Sequence, residues 1–266
     1  MPEGYRLVED REGGAVIRAD LADIPLQMWW AQGEEFPDVP GRGGISLLKP
    51  CPGHHAVARD YRRGGALRGV LRDRFLSRHR SVRELEILMA LQRAGVPTVD
   101  PLAALWRGRG LIFQLRLVTE LVSGSRSLPA FLAEHPEHAR SAVREAGRVI
   151  ESALRCGLRH PDLHPENLLV SLDAGVPRVW MVDLDRAVLR QQPSQHASDR
   201  MLIRMVRYLE RHADSLSYSG RVVDYLRFLA GMGYPRSRRR SEMRRLVPLY
   251  DRLVAQHRLM WRLSGR

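Results

Sequence analysis

Residues Arg159 to Val170 read RHPDLHPENLLV, and Met181 to Asp185 read MVDLD. How these two stretches are read decides the fold. His160, Asp162 and His164 could converge on a cation, but an alternating HxDxH is weak without a further ligand at defined spacing, and the cysteines offer no help. Each residue also has an ordinary reading: Asp162 caps a turn, Asn167 sits in a bend ahead of LLV, Asp183 ends a strand. Phosphoryl transfer explains more of them at once. That reaction needs a carboxylate to orient and deprotonate the attacking hydroxyl, plus an amide and a second carboxylate to hold Mg²⁺ against nucleotide phosphates. Asp162, Asn167 and Asp183 supply the set, spaced D-x-x-x-x-N and followed by an apolar strand ending in an acid, as in a kinase catalytic loop and its metal loop. On this reading Asp162 is the base, Asn167 and Asp183 are metal ligands, and His160 packs and hydrogen-bonds the loop in place.

The rest of the chain is compatible with that chemistry. Its 266 residues, 44% hydrophobic and 27% charged, describe a globular protein able to bury a full core. No run approaches the roughly eighteen apolar residues that cross a bilayer, and MPEGYRLVEDREGG lacks the apolar centre of a signal peptide, so a cytosolic location is expected. Cys51 and Cys156 are too few for a disulfide framework and read as reduced thiols.

The net charge of +13 concentrates anionic partners around the protein. Lys49 is the one lysine, and every other basic residue is an arginine. A GC-rich genome and selection for bidentate phosphate binding both account for that bias. Arginines gather between Arg59 and Arg83 and again in RSRRRSEMRR, Arg236 to Arg245. Neither cluster interleaves aromatics, so no base-stacking nucleic-acid platform is expected.

The texture changes near residue 125. Before it come glycine-punctuated strands and one helix: FPDVPGRGGISLL turns at Gly41, Gly43 and Gly44 into a strand, and HHAVARDY is another. HRSVRELEILMALQRAGVPT predicts a helix with Val82, Leu85 and Met89 on one face and Gly95 as its stop. LIFQLRLVTELV reads as a strand running into a connector. After Ser123 the pattern is mainly helical. SAVREAGRVIESALRCGL places Val143, Gly147, Ile150 and Leu154 at helical spacing, Val179 to Asp185 predicts a buried strand, and SDRMLIRMVRYLERH, RVVDYLRFLAG and RRLVPLYDRLVAQHRLMWRL predict three amphipathic helices whose apolar stripes face the core. The expected fold is α+β and bilobal, with a β-rich lobe over 1–122 and a larger helical lobe over 123–266.

HPDLHPENLLV and VWMVDLDRA, preceded by ARDYRRGGALRGVLRDRFL and SVRELEIL, resemble the lipopolysaccharide core kinases, most of all those acting on 3-deoxy-D-manno-octulosonic acid (Kdo). The resemblance covers roughly residues 40 to 210; the tail matches only in helical character. It implies a protein-kinase-like fold that uses ATP and Mg²⁺ to phosphorylate Kdo-bearing lipid A or a related lipopolysaccharide precursor, working peripherally at the cytoplasmic face of the bacterial inner membrane against its anionic surface. Carried across, it implies that Glu84 pairs with a basic strand residue, Arg59, which stands where most kinases have lysine. It also implies that the backbone at Gly41, Gly43 and Gly44 approaches the phosphates, and that Glu120 to Val122 meets adenine. His164 and Asp185 stand where protein kinases have lysine and glycine, which points away from a protein substrate. An aminoglycoside- or choline-type phosphotransferase and a non-catalytic module binding anionic glycans remain the competing readings, with nucleic-acid binding suggested by charge alone.

Overall fold

The computed structural model describes residues 2–35, 44–62, 74–108, 112–191, 194–216, 218 and 220–263. The chain packs as two units. One comprises Met1–Arg93, Thr98–Val122 and Leu184–Arg186, the other Ala94–Pro97, Ser123–Asp183 and Ala187–Arg266.

In the first unit the elements run β1 (Tyr5–Glu9), β2 (Gly13–Arg18), a one-turn helix α1 (Leu26–Trp29), β3 (Glu34–Glu35), β4 (Ile45–Leu48), β5 (Ala56–Asp60), α2 (His79–Arg93), β6 (Pro101–Arg107) and β7 (Gln114–Glu120). The strands form one antiparallel sheet ordered β1-β2-β6-β7-β5-β4-β3. PLAALWR in β6 is buried at every position except its last, the pattern of a strand covered on both faces. Ala103 and Leu105 join Ile17, Ala58, Val118 and Trp29 in one cluster, while α2 packs on β6 and β7. The buried face of α2 is wider than the sequence predicts, because Ser81, Glu84, Ile87, Leu88 and Leu91 join Leu85 and Met89. Gly95 follows at φ 75°, a left-handed stop that costs glycine nothing.

The second unit holds β8 (Arg126–Ser127), α3 (Leu128–Glu134), α4 (Ala139–Arg155), β9 (Leu158–Arg159), β10 (Leu168–Asp173), β11 (Val176–Met181), β12 (Val188–Leu189), α5 (Gln195–Arg211), α6 (Val222–Gly231) and α7 (Arg236–Leu263). β10 and β11 form a hairpin closed by Ala174 and Gly175, both at positive φ, with β8 on the far edge of β10; β9 pairs with β12. α4 buries Val143, Gly147, Ile150 and Leu154, as its spacing predicts. Gly147 is required by contact, since a Cβ there would strike the Phe228 carbonyl of α6.

Two elements differ from expectation. The strand predicted through Asp185 stops at Met181, because Asp183 (φ 56°) and Arg186 (φ 62°) adopt left-handed backbone that no extended strand accommodates. α7 begins at Arg236, so the second arginine cluster forms its first turns. Over its described side chains the apolar stripe is not core: Met243, Leu246 and Tyr250 are only half-buried and line, with residues of α5 and α6, an apolar cavity of about 340 Å³.

α7 is fastened to α5 by charge. Arg245 gives two hydrogen bonds, of 2.6 and 2.8 Å, to Asp199, which is buried and also accepts from Gln195 at 3.0 Å. Burial alone would raise the Asp199 pKa, but the bonds from Arg245 and Gln195 outweigh it and hold the carboxyl below its ordinary value. Arg245→Ala is therefore expected to cost about 2 kcal/mol, discounted for the partly exposed guanidinium, with the loss read from the urea midpoint. The folded-state pKa is depressed, so this contribution is present above the unfolded value and fades as pH falls below about 4.

Candidate functional site

The loop between β9 and β10 is built around one buried ring. His160 is 3% exposed, and its Nδ1 accepts the Asp162 backbone N–H at 3.0 Å. That bond leaves the proton on Nε2, which lies 2.7 Å from the Asp183 carbonyl oxygen and donates to it. A neutral imidazole thus cross-links Asp183, two residues past β11, to the loop that carries Asp162, while the His160 N–H points to Met201 Sδ of α5 at 3.4 Å. The carboxylate-bearing residues at both ends of the cross-link, Asp162 and Asp183, are exposed.

Asn167 closes the other end of the loop. Pro165–Asn167 forms a single 3₁₀ turn, and Asn167 Oδ1 accepts the His164 N–H at 2.9 Å. Its backbone carbonyl accepts the Val182 N–H, also at 2.9 Å. These bonds explain why Asn167, 3% exposed, sits beside the segment carrying Asp183. One lone pair of Oδ1 remains for a further partner.

Sequence reasoning overlooked what steadies this loop from α5. The His164 ring stacks on Tyr208 at 4.3 Å, Tyr208 stacks on His212 at 4.2 Å, and the Tyr208 hydroxyl donates to Glu166. An amphipathic helix with tyrosine off its apolar stripe is the faint signal that was available.

In the first unit, Arg59 of β5 meets Glu84 of α2 at 2.5 Å, with Glu84 2% exposed. Tyr61, which the sequence did not single out, donates its hydroxyl to the same carboxylate and places its ring 4.6 Å from the Arg59 guanidinium. Burial, and then the Glu84 charge, push the Tyr61 pKa well above the ordinary phenol value, so it remains a donor. Arg80 is 5.3 Å from the Tyr61 ring and 4.9 Å from that of Phe75, and its fork grips Asp185, with Nε at 2.7 Å from Oδ1. Burial would raise the Asp185 pKa, but Arg80 overrides it and holds the carboxyl low. Asp185 is therefore engaged as an ion-pair partner.

Gly44 has φ 121°, and its carbonyl accepts the Asp60 N–H at 2.7 Å. That φ is one side chains rarely adopt, so glycine is favoured there, and a Cβ would also sit tightly, 3.2 Å from the Asp60 carbonyl. Gly41 and Gly43, like Arg63, Arg68 and Arg72, lie outside the described residues. Lys49 is 61% exposed and 3.8 Å from Glu34, away from the Arg59–Glu84 pair.

No group of three or more His, Cys, Asp or Glu side chains among the described residues is arranged to hold a metal. What the second unit offers is a pair of hard oxygen donors, the Asn167 amide and the Asp183 carboxylate. Such a pair suits Mg²⁺, which keeps waters and takes substrate phosphates for its remaining positions.

Residues 27–231 match the model of the Lipopolysaccharide kinase (Kdo/WaaP) family. A 3-deoxy-D-manno-octulosonic acid kinase of Xanthomonas campestris pv. campestris is 36% identical over 214 residues, covering 76% of this chain and 82% of that protein. One from Xanthomonas axonopodis pv. citri is 35% identical over 232 residues, covering 82% and 89%. The counterpart in Xylella fastidiosa is 32% identical, covering 71% and 76%. A solved structure of WaaP in complex with acyl carrier protein superposes at a TM-score of 0.58 and 20% identity, covering 87% of this chain and 91% of that one. It shares the kinase-like fold.

Proposed function

The chain belongs to the lipopolysaccharide kinase (Kdo/WaaP) family, a phosphotransferase of lipopolysaccharide core synthesis with ATP as donor substrate, and we propose that the hydroxyl it phosphorylates is carried by Kdo on lipid A. The curated relatives support this acceptor. The mechanism rests on one observation above all: the His160 ring ties the backbone of Asp162 to that of Asp183.

Asp162, exposed at the head of the loop, orients the sugar hydroxyl and takes its proton as the oxygen bonds to the γ-phosphorus. The bond from that phosphorus to the bridging oxygen breaks, and ADP leaves with the electron pair. Asn167 and Asp183 would hold Mg²⁺, which when bound neutralises charge on the phosphates. Arg59, fixed by Glu84 and stacked on Tyr61, binds the α- and β-phosphates. Backbone at Gly44, which its bond to Asp60 ties to β5, would approach the phosphates beside it. The acceptor is embedded in a membrane, and we place the reaction at the cytoplasmic face of the inner membrane, with Arg62, Arg63, Arg68 and Arg72 of the basic run meeting its anionic surface. No helix among the described residues is long and apolar enough to cross a membrane.

The test is direct: incubate the purified protein with ATP, Mg²⁺ and Kdo-bearing lipid A, and look for the mass of one added phosphate. Transfer only to a heptose-bearing acceptor would overturn the choice of sugar. A second expectation concerns Arg59. Arg59→Lys should retain part of the activity, because an ammonium still pairs with Glu84 but loses the planar fork, whereas Arg59→Ala should lose most of it. Full activity in the alanine variant would remove Arg59 from the nucleotide site.

A further inference from the structure

α5 carries Arg200, Arg204 and Arg207 at i, i+4 and i+7. At 3.6 residues per turn these three fall within a stripe about 60° wide and about 10 Å long. Next to the stripe run Met201 and Tyr208, the residues through which α5 meets His160 and His164. The stripe therefore flanks the Asp162 loop. Arg204 is half-buried, and it makes no hydrogen bond or ion pair among the described residues.

Two other guanidiniums that burial takes from water are neutralised, Arg80 by Asp185 and Arg116 by Asp60. Around Arg204 the charges are instead alike, and burial followed by the fields of Arg200 and Arg207 lowers its pKa, with Asp162 acting in the opposite direction. A desolvated cation flanked by two others is costly unless an anion completes it. Asp162 alone does not complete it, since no bond joins the two.

We propose that Arg204, supported by Arg200 and Arg207, binds the carboxylate of the acceptor sugar acid and so sets which hydroxyl is presented to Asp162. The inference rests on the reading of Asp162 as the base and of Kdo, an acid, as the acceptor. A guanidinium fork matches a carboxylate in two parallel bonds, which fixes the orientation of a sugar ring as well as its position.

The experiment compares two acceptors, Kdo-bearing lipid A and the same lipid with the Kdo carboxylate converted to its neutral amide. Parent, Arg204→Gln and Arg204→Lys proteins are assayed for acceptor KM, ATP KM and kcat. The parent should prefer the acid by roughly ten- to a hundredfold in kcat/KM, the size of a charged hydrogen bond. Arg204→Gln should lose that preference, with the loss in acceptor KM and ATP KM unchanged, and Arg204→Lys should recover part of it. A glutamine variant that still prefers the acid, or one whose ATP KM rises instead, overturns the assignment. So does a parent that uses acid and amide equally. If the parent transfers phosphate to neither acceptor, the underlying reading of Kdo as substrate fails and this inference falls with it. Salt-dependent binding to anionic vesicles, measured in parallel, should survive Arg204→Gln; loss of vesicle binding with acid preference intact would make the stripe a membrane face and overturn the proposal.

Discussion

Asp162→Asn is expected to lower kcat for transfer to Kdo-bearing lipid A by about 10² to 10⁴, the range of a general-base contribution, while ATP affinity stays close to the parent's. The amide keeps the shape of the carboxylate but cannot accept a proton. The scaffold is untouched, because the bond from residue 162 to His160 Nδ1 comes from the backbone N–H. Single-turnover rates and nucleotide titrations on one preparation separate the two quantities. Matching losses in rate and in affinity would assign Asp162 a structural role.

Asp183 should show an effect of comparable size by a different route. Loss of a metal ligand removes several kcal/mol of charge stabilisation, on the order of 10²-fold or more in kcat, and weakens Mg²⁺-dependent ATP binding as well. Asp183→Ala carries a complication, since its φ of 56° lies in a region that alanine enters at a cost of about 1 kcal/mol. Asp183→Asn avoids it, because asparagine tolerates left-handed backbone and the bond to His160 uses the carbonyl of residue 183. Circular dichroism and ATP titration with and without Mg²⁺ would be read for both variants. A folded asparagine variant with undiminished turnover would remove Asp183 from the metal site.

Much of the scaffold beneath these residues is legible because its signals are local. α4 announces itself by apolar spacing, and α2 by its spacing and by Gly95. The loop sequence from His160 to Asn167 is read as one unit because turn, strand and acids occur within a few positions. Where the reading fails, the cause is long-range or conformational. VDLD alternates like a strand, and nothing in that alternation reveals that Asp183 turns left-handed to reach His160. Asp185 looked like a departure from a metal loop; its partner Arg80 lies 105 residues earlier, too far for any local pattern to join them. Tyr61 is likewise invisible until β5 and α2 bring it to Glu84. Arg245 was one arginine in a basic run, and only the burial of Asp199 makes it an anchor.

The trio of Arg59, Glu84 and Tyr61 bears on how such a protein is detected by chemical labelling. A guanidinium does not give up its proton in water, and Tyr61 stays a phenol, so the trio keeps one charge state well into alkaline solution. It also presents no amine. Acyl-phosphate nucleotide probes mark kinases by acylating a lysine beside the bound phosphates, and the single ε-amino group of this chain, Lys49, is exposed next to Glu34. With the phosphates at Arg59, as we propose, surveys that count kinases by that chemistry would pass over this one, and an amine-reactive dye would reach Lys49 without disturbing the Arg59–Glu84 pair.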